Sequence, residues 1–136
     1  MDVSPILDGL NDAQREAVTA PSGNLLVLAG AGSGKTRVLV HRIARLLEVD
    51  GVSPYAVLAV TFTNKVAGEM RTRIEGLLGM PAGQMWVGTF HGLVHRLLRM
   101  HWKEADLLQG FQILDSDDQL RVLCRTLRAL DLDEDR

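Results

Sequence analysis

The chain contains few residues of several types, and each scarcity excludes a class of protein. Its 136 residues include one cysteine, Cys124, so no internal disulfide can form, which excludes a small disulfide-stabilised fold. The sequence also shows no signal peptide and no apolar run of membrane-spanning length. These features favour a cytoplasmic protein that has no membrane partner. Cys124 lies in an apolar helical stripe, so we expect it to pack in a core rather than to react.

The chain also lacks an excess of charge of either sign, because its net charge is only −2. This balance gives no overall signal for nucleic-acid binding. The distribution is more informative. Residues 35–103 carry ten basic and four acidic side chains, whereas the segments before and after them are both net acidic. The positive charge therefore lies in the stretch that begins at the end of a glycine-rich loop, as phosphate-bearing partners would require.

This glycine loop spans residues 29–36, after the apolar run Leu25–Leu28. Its members are Ala29, Gly30, Ala31, Gly32, Ser33, Gly34, Lys35 and Thr36. The glycines let backbone N–H groups point at an anion, and the helix beginning at Lys35 adds its positive dipole end. Lys35 would reach the β- and γ-phosphates, and Thr36 would place its hydroxyl on Mg²⁺. The strict pattern has glycine where this chain has Ala29, but the context still predicts a nucleoside triphosphate site.

Strands and helices alternate along the chain, which is typical of an α/β fold with a parallel sheet flanked by helices. We expect the first helix to start near Asn11 and the last to carry a capping box formed by Ser116 and Gln119. The other predicted elements are strands at about 24–29, 57–62 and 86–88, and helices at about 35–48, 64–78, 91–100 and 117–130.

Nucleotide hydrolysis also needs an acidic pair at the end of a second apolar strand, to hold Mg²⁺ and orient water. The only candidate is the stretch from Phe111 to Asp115. Gln112 interrupts its apolar run, and Ser116 follows where a glutamate is expected. Residues 115–118 are instead typical of the start of a helix. The sequence therefore predicts a phosphate-binding half-site without its catalytic half.

Four motifs carry a resemblance to a known family. They are Leu-Asn-Asp-Ala-Gln-Arg-Glu-Ala-Val at residues 10–18, the glycine loop, Thr-Phe-Thr-Asn-Lys at residues 61–65 and Trp-Val-Gly-Thr-Phe-His-Gly at residues 86–92. In order and spacing they resemble the opening motifs of UvrD/PcrA/Rep-type superfamily 1 DNA helicases. The resemblance runs through essentially the whole chain, and it covers Ala29 as well.

The resemblance implies a RecA-like P-loop NTPase portion in residues 1–103 and the start of an inserted helical subdomain in residues 104–136. It also implies an ATP-dependent helicase that moves 3′ to 5′ on single-stranded DNA and unwinds duplex DNA in replication and repair. ATP and Mg²⁺ are the implied cofactors. Single-stranded DNA, duplex DNA and DNA-repair proteins are the implied partners. Because the acidic pair is missing, we expect this stretch alone to be inactive as an enzyme.

The same resemblance implies roles for two residues near the nucleotide base. Gln14 would read adenine, because a side-chain amide can accept from N6 and donate to N7. Its alternative is a capping-box partner of Asn11. Arg37 would lay its guanidinium on the base face, and its alternative is a solvated helix arginine.

The segments that follow the second and third predicted strands are the candidate DNA-binding residues. Parallel sheets bind ligands at this edge, and single-strand grooves combine aromatic faces with small polar groups. Phe62 would stack on a base, and its alternative is core packing. Thr63, Asn64, Thr89 and His91 would contact phosphates.

Two other functions remain open from the sequence, a stand-alone nucleotide-binding module and a small-molecule P-loop kinase. Neither accounts for the Phe62–Asn64 segment after the second strand or the Thr89–His91 segment after the third.

Overall fold

The computed structural model of the chain describes residues 4–131, which form two compact units with a boundary between Leu93 and Val94. This boundary lies inside a helix, before the domain limit predicted after residue 103. Residues 132–136 of the predicted second domain lie outside the described part of the chain. The division of the intact protein into domains stays a prediction.

Apart from the strand predicted at residues 24–29, the predicted helices and strands all form, in the predicted order. Four of the six helices lie within one residue of the predicted bounds at each end, whereas α1 was not predicted from the sequence. The elements are α1 (Ser4–Leu7), α2 (Asp12–Thr19), α3 (Lys35–Glu48), a 3₁₀ turn (Pro54–Ala56), β1 (Leu58–Thr61), α4 (Asn64–Leu78), β2 (Trp86–Thr89), α5 (Phe90–Met100) and α6 (Ser116–Ala129).

The first unit contains a parallel pair of strands, β1 and β2, joined by the crossover helix α4. In the pairing register, Leu58 lies opposite Trp86 and Thr61 lies opposite Thr89. Both strands therefore end at the same level. The residues after Thr61 and after Thr89 start at one edge of the sheet, which we call the carboxyl edge.

The strand expected at residues 24–29 is absent, since these residues adopt no hydrogen-bonded strand. Leu26 and Leu28 are 82% and 85% exposed. A continuous apolar run is typical of a strand that neighbours cover on both faces and both edges. Among the described residues, the two strands that form pair with each other, so this run has no partner. A cavity of about 380 Å³, lined partly by Val27 and Ala59, adjoins both this run and β1.

Helix α3 contributes to two apolar clusters. Val40 and Ile43 belong to the larger cluster, which includes residues of β1, β2 and α4. Val38 and Ala44 belong to the smaller one, with residues of the N-terminal helices. The other buried members of that smaller cluster are Ile6, Leu10 and Val18. The first residues of α3 form the end of the glycine loop, so this packing fixes the loop relative to both the sheet and α2.

In the second unit, α6 begins at Ser116, and the Asp115 side chain accepts a hydrogen bond from the Asp118 backbone N–H at 2.8 Å. Asp115 is therefore the cap, which confirms the predicted helix start at residues 115–118. The predicted capping box of Ser116 and Gln119 is wrong, because the carboxylate one residue earlier occupies that role. Cys124 is half-buried on a helix that has no buried residue, so the expected core position is also wrong.

No helix within residues 4–131 is both long enough and apolar enough to cross a membrane.

Candidate functional site

The glycine loop turns sharply into α3. Gly32 and Gly34 adopt φ values of +74° and +85°, a region that only glycine enters without strain. The Ser33 hydroxyl donates to the Gly30 carbonyl at 2.7 Å and closes the turn. Gly34 is the N-cap of α3 and offers no side-chain cap, so the first N–H groups of the helix have no capping side chain. A helix end of this kind suits an anion.

Lys35 folds its ammonium back over this loop. Its Nζ donates to the carbonyls of Ala29, at 3.0 Å, and Gly30, at 2.7 Å. Within the described residues, Lys35 forms no ion pair with a carboxylate. Thr36 is half-buried in the first turn of the same helix. The loop therefore holds an uncompensated cation beside backbone donors, which fits the phosphates of a nucleotide.

Gln14 connects helix α2 to the glycine loop. Its backbone N–H donates to Asn11 Oδ1 at 2.8 Å, and its Oε1 accepts from the Asn11 backbone N–H at 3.2 Å. These two bonds form the capping box that the sequence left as an alternative. The same side chain also donates from Nε2 to the Ser33 carbonyl at 3.1 Å. The amide thus caps α2 and contacts the loop at once.

A cavity of about 250 Å³ lies beside this contact, and its lining includes Gln14, Ser33 and Lys35. Arg37 is not part of that lining. A methyl group added at Gly9 would lie 2.8 Å from Arg37 Nη2, so the guanidinium lies against that backbone. Arg37 lines a different cavity, of about 390 Å³, together with Arg73. The structure therefore brings Gln14 and Lys35 together in one cavity, whereas the Arg37 guanidinium lies outside that cavity, against Gly9.

The carboxyl edge of the sheet carries the N-termini of two helices. The Thr63 hydroxyl accepts a hydrogen bond from the Val66 N–H at 3.3 Å and caps α4. The Thr89 hydroxyl accepts from the Gly92 N–H at 3.2 Å, at the start of α5. Since Thr61 and Thr89 are paired in the sheet, the positive ends of both helix dipoles lie at one edge. This edge is suited to phosphate groups.

Two aromatic rings lie exposed at the same edge. Phe62 is 90% exposed and Phe90 is 57% exposed, and their ring centroids are 6.2 Å apart at an interplanar angle of 49°. The alternative of core packing for Phe62 is therefore wrong. Asn64 and His91 are also exposed, in the first turns of α4 and α5. An exposed ring pair beside two helix N-termini combines stacking faces with phosphate donors.

Sequence reasoning missed Phe90. A signal was present, because the dipeptide Thr-Phe occurs at residues 61–62 and again at residues 89–90. Each dipeptide ends a strand, and the parallel register places the two at equivalent positions. Reading the two dipeptides as a pair would have predicted the contact between the rings.

The sequence of the chain matches a known protein family and several known helicases. Residues 10–136 match the UvrD/REP helicase N-terminal domain. The chain is 69% identical to DNA helicase II of Escherichia coli over 134 residues, which are 98% of this chain and 19% of that protein. It is 48% identical to ATP-dependent DNA helicase PcrA of Bacillus subtilis over 128 residues, or 94% of this chain and 17% of that protein. The chain thus spans about a fifth of the length of the curated relatives that it matches.

The motifs, the α/β arrangement of the first unit and these identities agree, and the chain belongs to the UvrD/REP helicase N-terminal domain family.

Proposed function

We propose that the chain is the ATP- and DNA-binding N-terminal part of an ATP-dependent DNA helicase that moves 3′ to 5′ on single-stranded DNA. The proposal includes a RecA-like P-loop fold in the intact protein and a role in DNA repair and replication. One observation carries it. A single compact unit holds a glycine loop with an uncompensated lysine and an exposed aromatic pair beside two helix N-termini.

For the nucleotide, the residues present fit ATP and Mg²⁺. Bound Mg²⁺ neutralises charge on the β- and γ-phosphates. Lys35 would exchange its two carbonyl acceptors for phosphate oxygens, and the Thr36 hydroxyl would be a ligand of the metal. Backbone N–H groups of residues 29–34 would bind the remaining phosphate oxygens. Gln14 would read adenine with both ends of its amide: Nε2 would exchange the Ser33 carbonyl for N7, and Oε1 would accept from N6 through the lone pair that the Asn11 N–H leaves open.

For DNA, the carboxyl edge supplies two kinds of contact. Phe62 would stack on a base, which requires no particular sequence. Thr63, Asn64, Thr89 and His91 would contact phosphates together with the helix N-termini of α4 and α5. Because the hydroxyls of Thr63 and Thr89 already accept backbone N–H groups, they would act toward phosphates as donors.

A substitution at Lys35 tests whether the two surfaces are separate. Lys35→Ala removes the only side-chain cation that the structure places within hydrogen-bond reach of the loop carbonyls in residues 4–131. We expect Mg-ATP affinity to fall at least about tenfold, as for the loss of a charge-assisted hydrogen bond. Affinity for a labelled single-stranded oligonucleotide should stay within about twofold, since the Lys35 ammonium contacts the loop carbonyls and not the residues of the carboxyl edge. Titration calorimetry and fluorescence anisotropy measure the two affinities.

Lys103→Ala, at an exposed lysine of the second unit, is the matched control and should leave Mg-ATP affinity unchanged. Equal ATP affinity in the Lys35→Ala and wild-type chains would contradict the nucleotide site. ATP binding without any affinity for single-stranded DNA would instead support the stand-alone nucleotide-binding module. The 136-residue chain should show no DNA-stimulated ATP hydrolysis, because residues 111–115 do not supply the acidic pair.

A further inference from the structure

An arginine that the sequence analysis did not single out binds the end of helix α2. Arg42 lies on α3 and is half-buried. Its Nη1 lies within hydrogen-bond distance of the carbonyls of Ala17 (3.3 Å), Val18 (3.0 Å) and Ala20 (2.6 Å). Its Nη2 donates to the Pro21 carbonyl at 3.1 Å. One guanidinium thus lies within hydrogen-bond distance of four of the five carbonyls from Ala17 to Pro21, at the C-terminal end of α2 and just beyond it.

Helix α2 needs hydrogen-bond donors and a positive charge at its C-terminal end. The last carbonyls of a helix have no partner within the helix, and a cation stabilises that end of the dipole. The last turn of α2 contains no basic residue of its own. Within the part of the chain that the structure describes, Arg42 forms no ion pair with a carboxylate. The Arg42 guanidinium is therefore paired with backbone carbonyls at the end of α2.

Helix α2 is held at both ends by the segment that begins at the glycine loop. At its N-terminal end, Gln14 Nε2 donates to the Ser33 carbonyl. At its C-terminal end, Arg42 binds the carbonyls named above. The approach at the first contact is close, because a methyl group added at Gly34 would lie 2.8 Å from Gln14 Nε2. A small pivot of α2 would therefore break the contact between Gln14 and the loop.

We propose that Arg42 is a positioning residue for nucleotide choice, holding α2 against α3 so that the Gln14 amide stays beside the phosphate-binding loop. The proposal rests on the proposed function, in which Gln14 reads adenine. Arg42 would touch no part of the nucleotide. It would set where the amide stands relative to Lys35 and Thr36, which lie on the same helix as Arg42.

The test compares binding of ATP, GTP and inorganic tripolyphosphate to the 136-residue chain by titration calorimetry with Mg²⁺. Gln14→Ala should lower the preference for ATP over GTP by about 5- to 150-fold, the range for loss of a bidentate base contact. Arg42→Met should lower the same preference at least about fivefold while leaving tripolyphosphate affinity unchanged. Arg42→Lys retains the cation but loses the second nitrogen of the guanidinium, so it should recover part of the preference.

Two controls separate positioning from a general loss of structure. Arg45→Met removes another arginine of α3, one that pairs with Asp50 at 3.3 Å, and should leave nucleotide preference unchanged. The double variant Gln14→Ala/Arg42→Met should be no less selective than Gln14→Ala, because an effect that acts through Gln14 disappears with it. Circular dichroism confirms that each variant is folded under the conditions of the titration.

The possible outcomes are distinguishable. If Gln14→Ala leaves the ATP preference unchanged, or the chain binds no ATP, adenine reading is refuted and the role of Arg42 with it. If Gln14→Ala lowers the preference but Arg42→Met behaves like Arg45→Met, only the role of Arg42 is overturned. Equal losses for ATP, GTP and tripolyphosphate in Arg42→Met would also overturn it, because they indicate a distorted loop.

Discussion

The substitution Phe62→Ala tests whether the Phe62 ring stacks on DNA bases or packs within the protein. The ring is 90% exposed and contacts the partly exposed ring of Phe90 at a centroid distance of 6.2 Å. Phe62→Ala therefore removes little buried area from the folded chain. It removes most of an aromatic face that a base could use.

The expected loss of stability is small. Full burial of a phenylalanine contributes up to about 3 kcal/mol, so one tenth of that contributes about 0.3 kcal/mol. The contact with Phe90 adds about 0.5–1.5 kcal/mol. The free energy of unfolding should therefore fall by less than about 2 kcal/mol, whereas truncation of a core phenylalanine costs about 3–5 kcal/mol. Met70→Ala, at a side chain that is 1% exposed, should cost about 2–5 kcal/mol and serves as the core reference.

Removal of the Phe62 ring should also weaken DNA binding. Stacking of one base on an aromatic ring contributes about 1–3 kcal/mol, which weakens binding by about 5- to 150-fold when the ring is removed. Labelled oligo-dT and oligo-dA should lose affinity to a similar extent, because every base has a π-face. Phe62→Tyr keeps the ring and should bind nearly as well as the wild type. Fluorescence anisotropy measures affinity, and urea unfolding measures stability.

Two results would refute this reasoning. A fall of more than about 3 kcal/mol in unfolding free energy, with normal DNA affinity in the folded protein, would show that Phe62 is a packing residue. Unchanged DNA affinity in both Phe62→Ala and Phe90→Ala would show that neither ring stacks on a base.

Two further predictions concern local backbone structure. Gly34→Ala should destabilise the chain by at least about 1–2 kcal/mol in urea unfolding, because its φ of +85° is strained for alanine and the added methyl would lie 2.8 Å from Gln14 Nε2. Gly30→Ala, with open space around the added methyl, should be tolerated. Equal losses in the two variants would contradict that explanation. Asp115→Ala should destabilise the first turn of α6 by about 1 kcal/mol, measured by hydrogen exchange, and Ser116→Ala should not; the reverse result would restore Ser116 as the cap.

The sequence predicted most of the local structure, including the turn at the glycine loop. Apolar spacing at 3.6 residues predicted helix α4, because this helix buries one face against its neighbours. The Gly-Lys-Thr pattern predicted the turn into α3, since positive φ values there require glycine. Family membership followed from the order of four motifs and is confirmed by the relatives.

Tertiary structure alone decided several other features. Whether residues 24–29 form a strand depends on partner strands, and an apolar run does not show which partner strands are available. The exposure of Phe62 depends on which elements cover the sheet edge, so strand alternation could not decide between core and groove.

Contacts between residues distant in sequence could not be predicted from the sequence either. Gln14 reaches Ser33, and Arg42 reaches the carbonyls of Ala17, Val18, Ala20 and Pro21, across about twenty residues. Backbone carbonyls are present at every residue, so no side-chain pattern marks those that an arginine will bind. The sequence by itself predicted which groups would bind phosphate and DNA, whereas packing of α2 on α3 placed Gln14 beside Ser33 and Lys35, and pairing of β1 with β2 placed Phe62 beside Phe90.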